Sequence, residues 1–283
     1  MQTFLDCLPC FMRQALAAAR RVDPDDEAMH RRVLAAWAAA VPDLDLTLSP
    51  PAQAGHIYGL LARATGAPDP FAADKDQANR RVLELLPGLR ARRDASPAPL
   101  RTALEMAIIG NYLDAGIGRE FDWEGELAAL EDALDPAACA EFEAQAGPGR
   151  AVLVLGDNAG EIAMDILLVE ALQARGCRVT YAVRGRPILN DATLEDARFV
   201  GMTEACPVVS SGVDTPGTVP ERCDPAFLDR MKQADLILSK GQGNFEALSD
   251  RWPGVFFAFK VKCPVAARLT GRPEGSSVFR RLD

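Results

Sequence analysis

The pattern of hydrophobic positions changes character near residue 147. Before that point, Ala- and Leu-rich segments repeat apolar residues at helical spacing and are punctuated by Pro and Asp. This pattern predicts helices at 11–21, 27–40, 52–65, 76–86, 99–115 and 123–134. We therefore predict that residues 1–146 form a mainly helical N-terminal part.

After Gly147-Pro148-Gly149, short apolar runs alternate with helical segments. The runs at 151–155, 177–183, 208–210, 236–238 and 255–259 are typical of strands that are buried on both faces. Helices are predicted between them, at 160–175, 194–201, 225–234 and 244–250. The alternation predicts an α/β fold, in which residues 147–283 form a doubly wound, Rossmann-like, mainly parallel sheet. We expect the two parts to pack as one unit.

Composition and charge narrow the class of protein. With 48% hydrophobic and 25% charged residues, the chain has ordinary globular composition. Its net charge of −9 offers no basic surface for a nucleic-acid backbone. No apolar run reaches the roughly 18 residues of a membrane span, and seven cysteines without a disulfide framework suit a reducing compartment. We expect a cytoplasmic protein that binds neither nucleic acid nor a membrane.

The loops after the first two predicted strands carry oxygen-bearing side chains, at the edge of the sheet where ligands bind in such folds. Asp157 and Asn158 directly follow the first strand, and Asp191 follows the second. Together they could form the oxygen-only ligand set that Mg²⁺ and Mn²⁺ prefer. Each alone would more simply cap the next helix. Arg184, also after the second strand, could neutralise an anion.

Two lysines stand at the ends of later strands. Lys240 lies between the fourth strand and two glycines, where outward-facing backbone N–H groups and one ammonium could hold a phosphate. A solvated loop lysine is the usual alternative. Lys260 ends the aromatic fifth strand, and it either covers apolar surface with its stem or points at a ligand.

One predicted helix also contributes polar groups. The apolar stripe of the helix at 99–115 continues to Asn111 and then Asp114. Polar groups on an inward face must find partners or cost about 1–3 kcal/mol each. These two side chains either bind backbone groups or line a cleft against the sheet.

The cysteines leave several interpretations open. Cys7 and Cys10 form a CxxC, and Cys263 is a third candidate thiol, but His30 and His56 supply no ligand pair for a zinc site. The three thiols are either buried core residues or a cysteine-based metal or redox-sensing site. With two histidines and no G-x-S-x-G, a Ser/His/Asp hydrolase is disfavoured.

Seven short motifs together carry a family resemblance that spans nearly the whole chain. They are CLPC at 7–10, GNYLDAG at 110–116, GDNAGEI at 156–162, RGRPILNDAT at 184–193, SSG at 210–212, SKGQGNFE at 239–246 and FKVKCPV at 259–265. In this combination and order the sequence resembles the metal-dependent damage-control phosphatases, in particular the mainly prokaryotic subgroup with an N-terminal CxxC.

The resemblance implies a hydrolase that acts on small phosphorylated metabolites with a divalent cation, Mn²⁺, Co²⁺, Ni²⁺ or Mg²⁺. By motif position, Asp157, Asn158 and Asp191 would be the metal ligands. The groups expected to contact substrate or reacting atoms are Asn111, Asp114, Glu161, Arg184, Asn190, Gly212, Lys240, Asn244 and Lys260.

The implied mechanism is metal-assisted attack of water on phosphorus. Lys240 would offset the charge on the phosphoryl oxygens, and Asp114 or Glu161 would orient or deprotonate the water. Asp157 as a covalent nucleophile is the less favoured variant. Two alternatives remain from the sequence: the cysteine-based module, and a protein that binds phosphorylated metabolites without turnover.

Overall fold

The computed structural model describes residues 1–67, 69–110 and 134–283. Its first helices are Cys7–Val22 (α1), Glu27–Ala40 (α2), Pro50–Thr65 (α3), Ala72–Ala95 (α4) and Pro99–Ile109 (α5), with a 3₁₀ turn at Val41–Asp43. The predicted helix at 76–86 is too short, because α4 continues through Pro87. The end of the predicted helix at 99–115 and almost all of that at 123–134 lie outside the described residues.

The second half alternates strands and helices as predicted. Its strands are Ala151–Leu155 (β1), Arg178–Val183 (β2), Val208–Ser210 (β3), Leu236–Lys240 (β4), Val255–Lys260 (β5) and Ser277–Leu282 (β6). The helices are Pro136–Gln145 (α6), Glu161–Ala174 (α7), Leu194–Phe199 (α8), Met202–Ala205 (α9), Pro225–Gln233 (α10), Gln242–Leu248 (α11) and Pro264–Thr270 (α12), with a 3₁₀ turn at Pro220–Arg222.

The strands form one sheet in the order β3-β2-β1-β4-β5-β6. The first five are parallel, and β6 pairs with β5 in the antiparallel direction. This confirms the predicted Rossmann-like α/β fold, and it places the switch in strand order between β1 and β4. Ligand sites in such sheets lie beyond the carboxyl ends of the strands at that switch.

Both faces of the sheet are covered, and helices from the N-terminal part cover one of them. Buried residues of α4, α5, α6 and α7 form a core with the side chains that alternate outward from one face of the strands. Helices α10, α11 and α12 pack on the other face. Helices α1, α2 and α3 form a third cluster around Trp37, which also includes Ile188 from the loop after β2 and Val265 from the start of α12, both at the carboxyl end of the sheet. These three helices therefore pack against the edge where the candidate residues lie.

Among the described residues, no helix is both long and apolar enough to cross a membrane.

Candidate active site

Backbone hydrogen bonds join the loops that follow β1 and β2. The amide of Ala159 donates to the carbonyl of Asn190 at 2.8 Å, and the amide of Ala192 donates to the carbonyl of Asp157 at 2.8 Å. A β-bridge also links Asn158 with Asp191. The loops therefore behave as one short ladder, which brings together the three residues that the sequence grouped as candidate metal ligands.

The guanidinium of Arg184 lies between the two aspartates. Its Nε donates to Asp191 Oδ2 at 2.5 Å, and its Nη2 donates to Asp157 Oδ1 at 3.2 Å. Asn158 Nδ2 donates to the other oxygen of Asp157, Oδ2, at 3.0 Å. Burial lowers the pKa of Arg184, but the charges of Asp191 and Asp157 outweigh it and the pKa is raised. Arg184 therefore stays charged and fixes both carboxylates.

Asn244 connects this group to the next loop. Its Oδ1 accepts from Arg184 Nη1 at 3.1 Å and from the amide of Thr218 at 2.7 Å. Its Nδ2 donates to the carbonyls of Gly156 and Lys240, at 3.1 and 2.8 Å. The side chain is fully buried. In this arrangement Asn244 positions Arg184, and the substrate contact expected of it would require these bonds to break.

A glycine allows the loop after β4 to approach Asp157. A Cβ on Gly241 would lie 2.0 Å from Asp157 Oδ2, and the backbone there has φ +81°. Any other residue would be strained by this conformation and would collide with the carboxylate. The absence of a side chain at Gly241 thus lets the loop between β4 and α11, predicted to cradle a phosphate, pack against Asp157.

A cavity of about 710 Å³ opens in front of these loops. Its lining includes all three candidate metal ligands together with Asn190. The lining also includes Gln242 and Glu246 from α11. The volume is in the range of small-molecule sites. Oxygen donors from two strand ends therefore face a space large enough for a small phosphate ester.

Lys240 is the last residue of β4 and is not a solvated loop lysine, because its side chain lies in a buried ion cluster. Its Nζ donates to Glu161 Oε1 at 2.5 Å and to Asp165 Oδ1 at 2.7 Å. The hydroxyl of Tyr181 donates a hydrogen bond to Asp165 Oδ2 at 2.7 Å. All four side chains are fully buried. Burial raises the pKa of Glu161 to about 7 against the lowering influence of Lys240. Within the described residues, neither Lys240 nor Glu161 lines the cavity.

The remaining expected substrate contacts have varied placements. Lys260 ends β5, and burial lowers the pKa of its amine to about 8. Gly212 packs against Gly185 and Asp224, where an added Cβ would come within 2.4 Å of the Asp224 carboxyl. Lys260 and Gly212 are not among the described cavity-lining residues. Asn111 and Asp114 lie outside the described residues.

The three singled-out thiols also line the 710 Å³ cavity. All seven cysteines lie in the described part of the chain, and each is a free thiol. Burial raises the pKa of Cys7 and of Cys10, which disfavours reactive thiolates. In the described ranges, no group of three or more His, Cys, Asp or Glu side chains is arranged to hold a metal ion. The described geometry thus offers no support for the cysteine-based module.

A family model, the damage-control phosphatase ARMT1-like domain, matches residues 3–278. The chain belongs to this family. Similar proteins include damage-control phosphatases of Pyrococcus horikoshii (28% identity, 99% of this chain and 98% of that protein) and Archaeoglobus fulgidus (30%, 81% and 82%). An uncharacterized protein of Methanocaldococcus jannaschii is 30% identical over 97% of this chain and 93% of that protein.

Comparison with solved structures supports the same family. A crystal structure of a DUF89 family protein from Pyrococcus horikoshii superposes with a TM-score of 0.89 at 27% identity, and each chain is covered completely. This confirms the predicted family and fold. Membership of the damage-control phosphatases supports a phosphatase as the activity of this chain.

The structure adds residues that were not chosen from the sequence. Asp165 follows Glu161 by one helical turn, and the other residues at 161–169 of this helix are apolar, so the spacing of the two acids was a usable signal. Gln242 and Glu246 show the same spacing on α11. In both pairs the four-residue interval places two polar groups on one helix face next to a candidate loop.

Proposed function

We propose that the chain is a metal-dependent phosphatase of small phosphorylated metabolites, with Asp157, Asn158 and Asp191 as the ligands of one divalent cation. The observation that carries the proposal is the convergence of these side chains, from loops hydrogen-bonded to each other, on one 710 Å³ cavity. Family membership supports the hydrolytic reaction.

The donor chemistry fits a hard cation. Two carboxylates and one amide supply oxygen atoms only, as Mg²⁺ and Mn²⁺ prefer, and three protein ligands leave positions for water and substrate. The Arg184 guanidinium compensates part of the negative charge. Gly241 keeps the space beside Asp157 Oδ2 free of a side chain. Such an ion would supply charge compensation at a phosphoryl oxygen and a water of lowered pKa.

The protein's own groups would orient the reactants. Arg184 holds Asp157 and Asp191 in fixed rotamers, and Asn244 holds Arg184, so the ligand oxygens need little rearrangement. The buried position of these bonds strengthens them and excludes competing water. Asn190 lies on the cavity wall, where its amide can donate to a substrate oxygen. Lys240 is not among the described cavity-lining residues and pairs with Glu161 and Asp165.

The test is a phosphate-release assay on chelator-treated protein, with Mn²⁺, Co²⁺, Ni²⁺ and Mg²⁺ added separately. The substrate panel contains sugar phosphates, nucleotides, phosphorylated cofactors and 4-nitrophenyl phosphate. We expect no turnover without metal and turnover with at least one ion. Asp157→Asn and Asp191→Asn should each lose activity by about 10²-fold or more, since one ligand is weakened in each.

Asp229→Asn is the matched control, because Asp229 is an exposed residue of α10 that pairs only with Lys232 among the described residues. It should retain full activity. Metal-independent turnover, or full activity in Asp157→Asn, would refute the ligand assignment. Tight binding of panel compounds without phosphate release under any metal would select the binding protein instead.

A further inference from the structure

Glu246 is a third carboxyl group in the cavity, and it is not one of the candidate metal ligands. It lies on α11, which starts directly after the loop that approaches Asp157. Its side chain is half-buried and lines the same 710 Å³ cavity as Asp157 and Asp191. It is therefore accessible to a bound ligand, whereas Glu161 is fully buried.

A glutamine fixes the orientation of this carboxyl group. Gln242 Nε2 donates to Glu246 Oε1 at 2.7 Å and to Cys263 Sγ at 3.4 Å. Gln242 Oε1 in turn accepts from the amide of Lys262 at 2.7 Å, which fixes the side-chain amide. Among the described residues, Glu246 Oε2 makes no hydrogen bond. One oxygen is thus anchored and the other is left to carry a proton.

Burial favours the protonated form of Glu246, and the charged and polar groups around it act in both directions. Burial is the largest influence and raises its pKa to about 7, and the charge of Asp157 adds to this effect. Gln242, the N-terminal ammonium and Lys262 act in the opposite direction. Cys7 and Cys10 also face it and are themselves neutral thiols with raised pKa values. Arg184 offsets part of the charge of the two aspartates, while Glu246 has no arginine partner among the described residues.

We propose that Glu246 is the general acid that protonates the leaving-group oxygen of the substrate. The inference rests on the proposed phosphatase function and names the catalytic group for one of its steps. As the water oxygen bonds to phosphorus, the bond between phosphorus and the ester oxygen breaks. The proton of the Glu246 carboxyl group moves to that ester oxygen, so that an alcohol leaves. Glu246 is left as a carboxylate, which regains a proton from solvent, while the water loses one proton to solvent.

The test compares two substrates whose leaving groups differ in how much they depend on protonation by a general acid. An alkyl phosphate that the wild-type protein hydrolyses would release an unstable alkoxide without protonation, whereas 4-nitrophenyl phosphate releases a stable phenolate. Glu246→Gln keeps the size of the side chain and the bond from Gln242. We expect it to lower kcat on the alkyl phosphate by about 10²–10³-fold and kcat on 4-nitrophenyl phosphate by less than about 5-fold. Glu246→Asp should lose less on the alkyl phosphate than Glu246→Gln.

Asp229→Asn is again the control, because Asp229 is an exposed carboxylate on α10 and is not among the described cavity-lining residues. It should change neither rate. Equal losses on both substrates in Glu246→Gln, or no loss on either, would overturn the assignment of an acid. The same holds if Glu246→Asp is as impaired as Glu246→Gln. Absence of wild-type turnover on every substrate and metal would instead refute the phosphatase function itself, so the two failures are distinguishable.

Discussion

Replacement of Arg184 by Met should destabilise the metal-free protein strongly, and added metal should recover much of the loss. Arg184 is 2% exposed and contacts Asp157 at 3.2 Å and Asp191 at 2.5 Å. Met keeps most of the volume but removes the guanidinium, which leaves two buried carboxylates without their cation. Breaking a buried ion pair in this way costs about 3–5 kcal/mol. At roughly 2–4 °C per kcal/mol, the Tm should fall by about 6–20 °C.

The assay is differential scanning fluorimetry of wild type and Arg184→Met, with chelator and then with saturating Mn²⁺. Because the ion would be the remaining cation between the two aspartates, the metal-induced rise in Tm should be larger in the variant than in wild type. The control is Arg222→Met, since Arg222 pairs with Asp214 at a half-exposed position and should cost less than about 1 kcal/mol. A metal-free Arg184→Met protein as stable as wild type, or an equal metal shift in both, would refute the reasoning.

Three further outcomes follow from the buried polar groups. Lys240→Met removes the cation between Glu161 and Asp165, so the free energy of unfolding measured by urea denaturation should fall by about 3–5 kcal/mol. A fall of less than about 1 kcal/mol would contradict the buried ion cluster. Tyr58→Phe should leave the Tm unchanged or slightly raised, because its buried hydroxyl has no hydrogen-bond partner in the described chain, and a clear fall would show that a partner exists. The pKa of Glu246 is raised from its ordinary value of 4.5 to about 7 in the folded chain. Between these two pH values the folded state therefore binds more protons than the unfolded state, and the free energy of unfolding falls as the pH rises. Glu246→Gln should therefore show a flatter Tm between pH 4.5 and 7 than wild type, and an unchanged slope would argue against the raised pKa.

Strand positions could be predicted closely because burial on both faces leaves continuous apolar runs. The run at 151–155 matches β1, and the run at 255–259 matches β5 to within one residue. The edge strand β6 was missed, since Ser277–Leu282 carries two arginines and is buried only at its start. The criterion of a continuous apolar run therefore misses a strand that carries charged residues. Helix α12, Pro264–Thr270, was also missed.

The part of the site that lies in loops at the ends of strands could be predicted from the sequence. The grouping of Asp157, Asn158 and Asp191 followed from the rule for parallel sheets, the ligand preference of hard cations and the family motifs, and the structure places the three residues together. The hydrogen-bond partners of these residues depend on how elements that are distant in the sequence pack together, and a local sequence pattern does not show this. Lys240 was expected to face a phosphate because its loop is glycine-rich, whereas it contacts Asp165, 75 residues earlier.

The most direct test of the account is to locate the cation. A crystal of the wild-type protein soaked in MnCl₂ should show an anomalous peak within about 2–2.6 Å of oxygen atoms of Asp157, Asn158 and Asp191. The peak should vanish in Asp157→Asn under the same soak. A peak beside Cys7, Cys10 and Cys263, with none between the two aspartates, would contradict the proposed metal site and the phosphatase chemistry built on it.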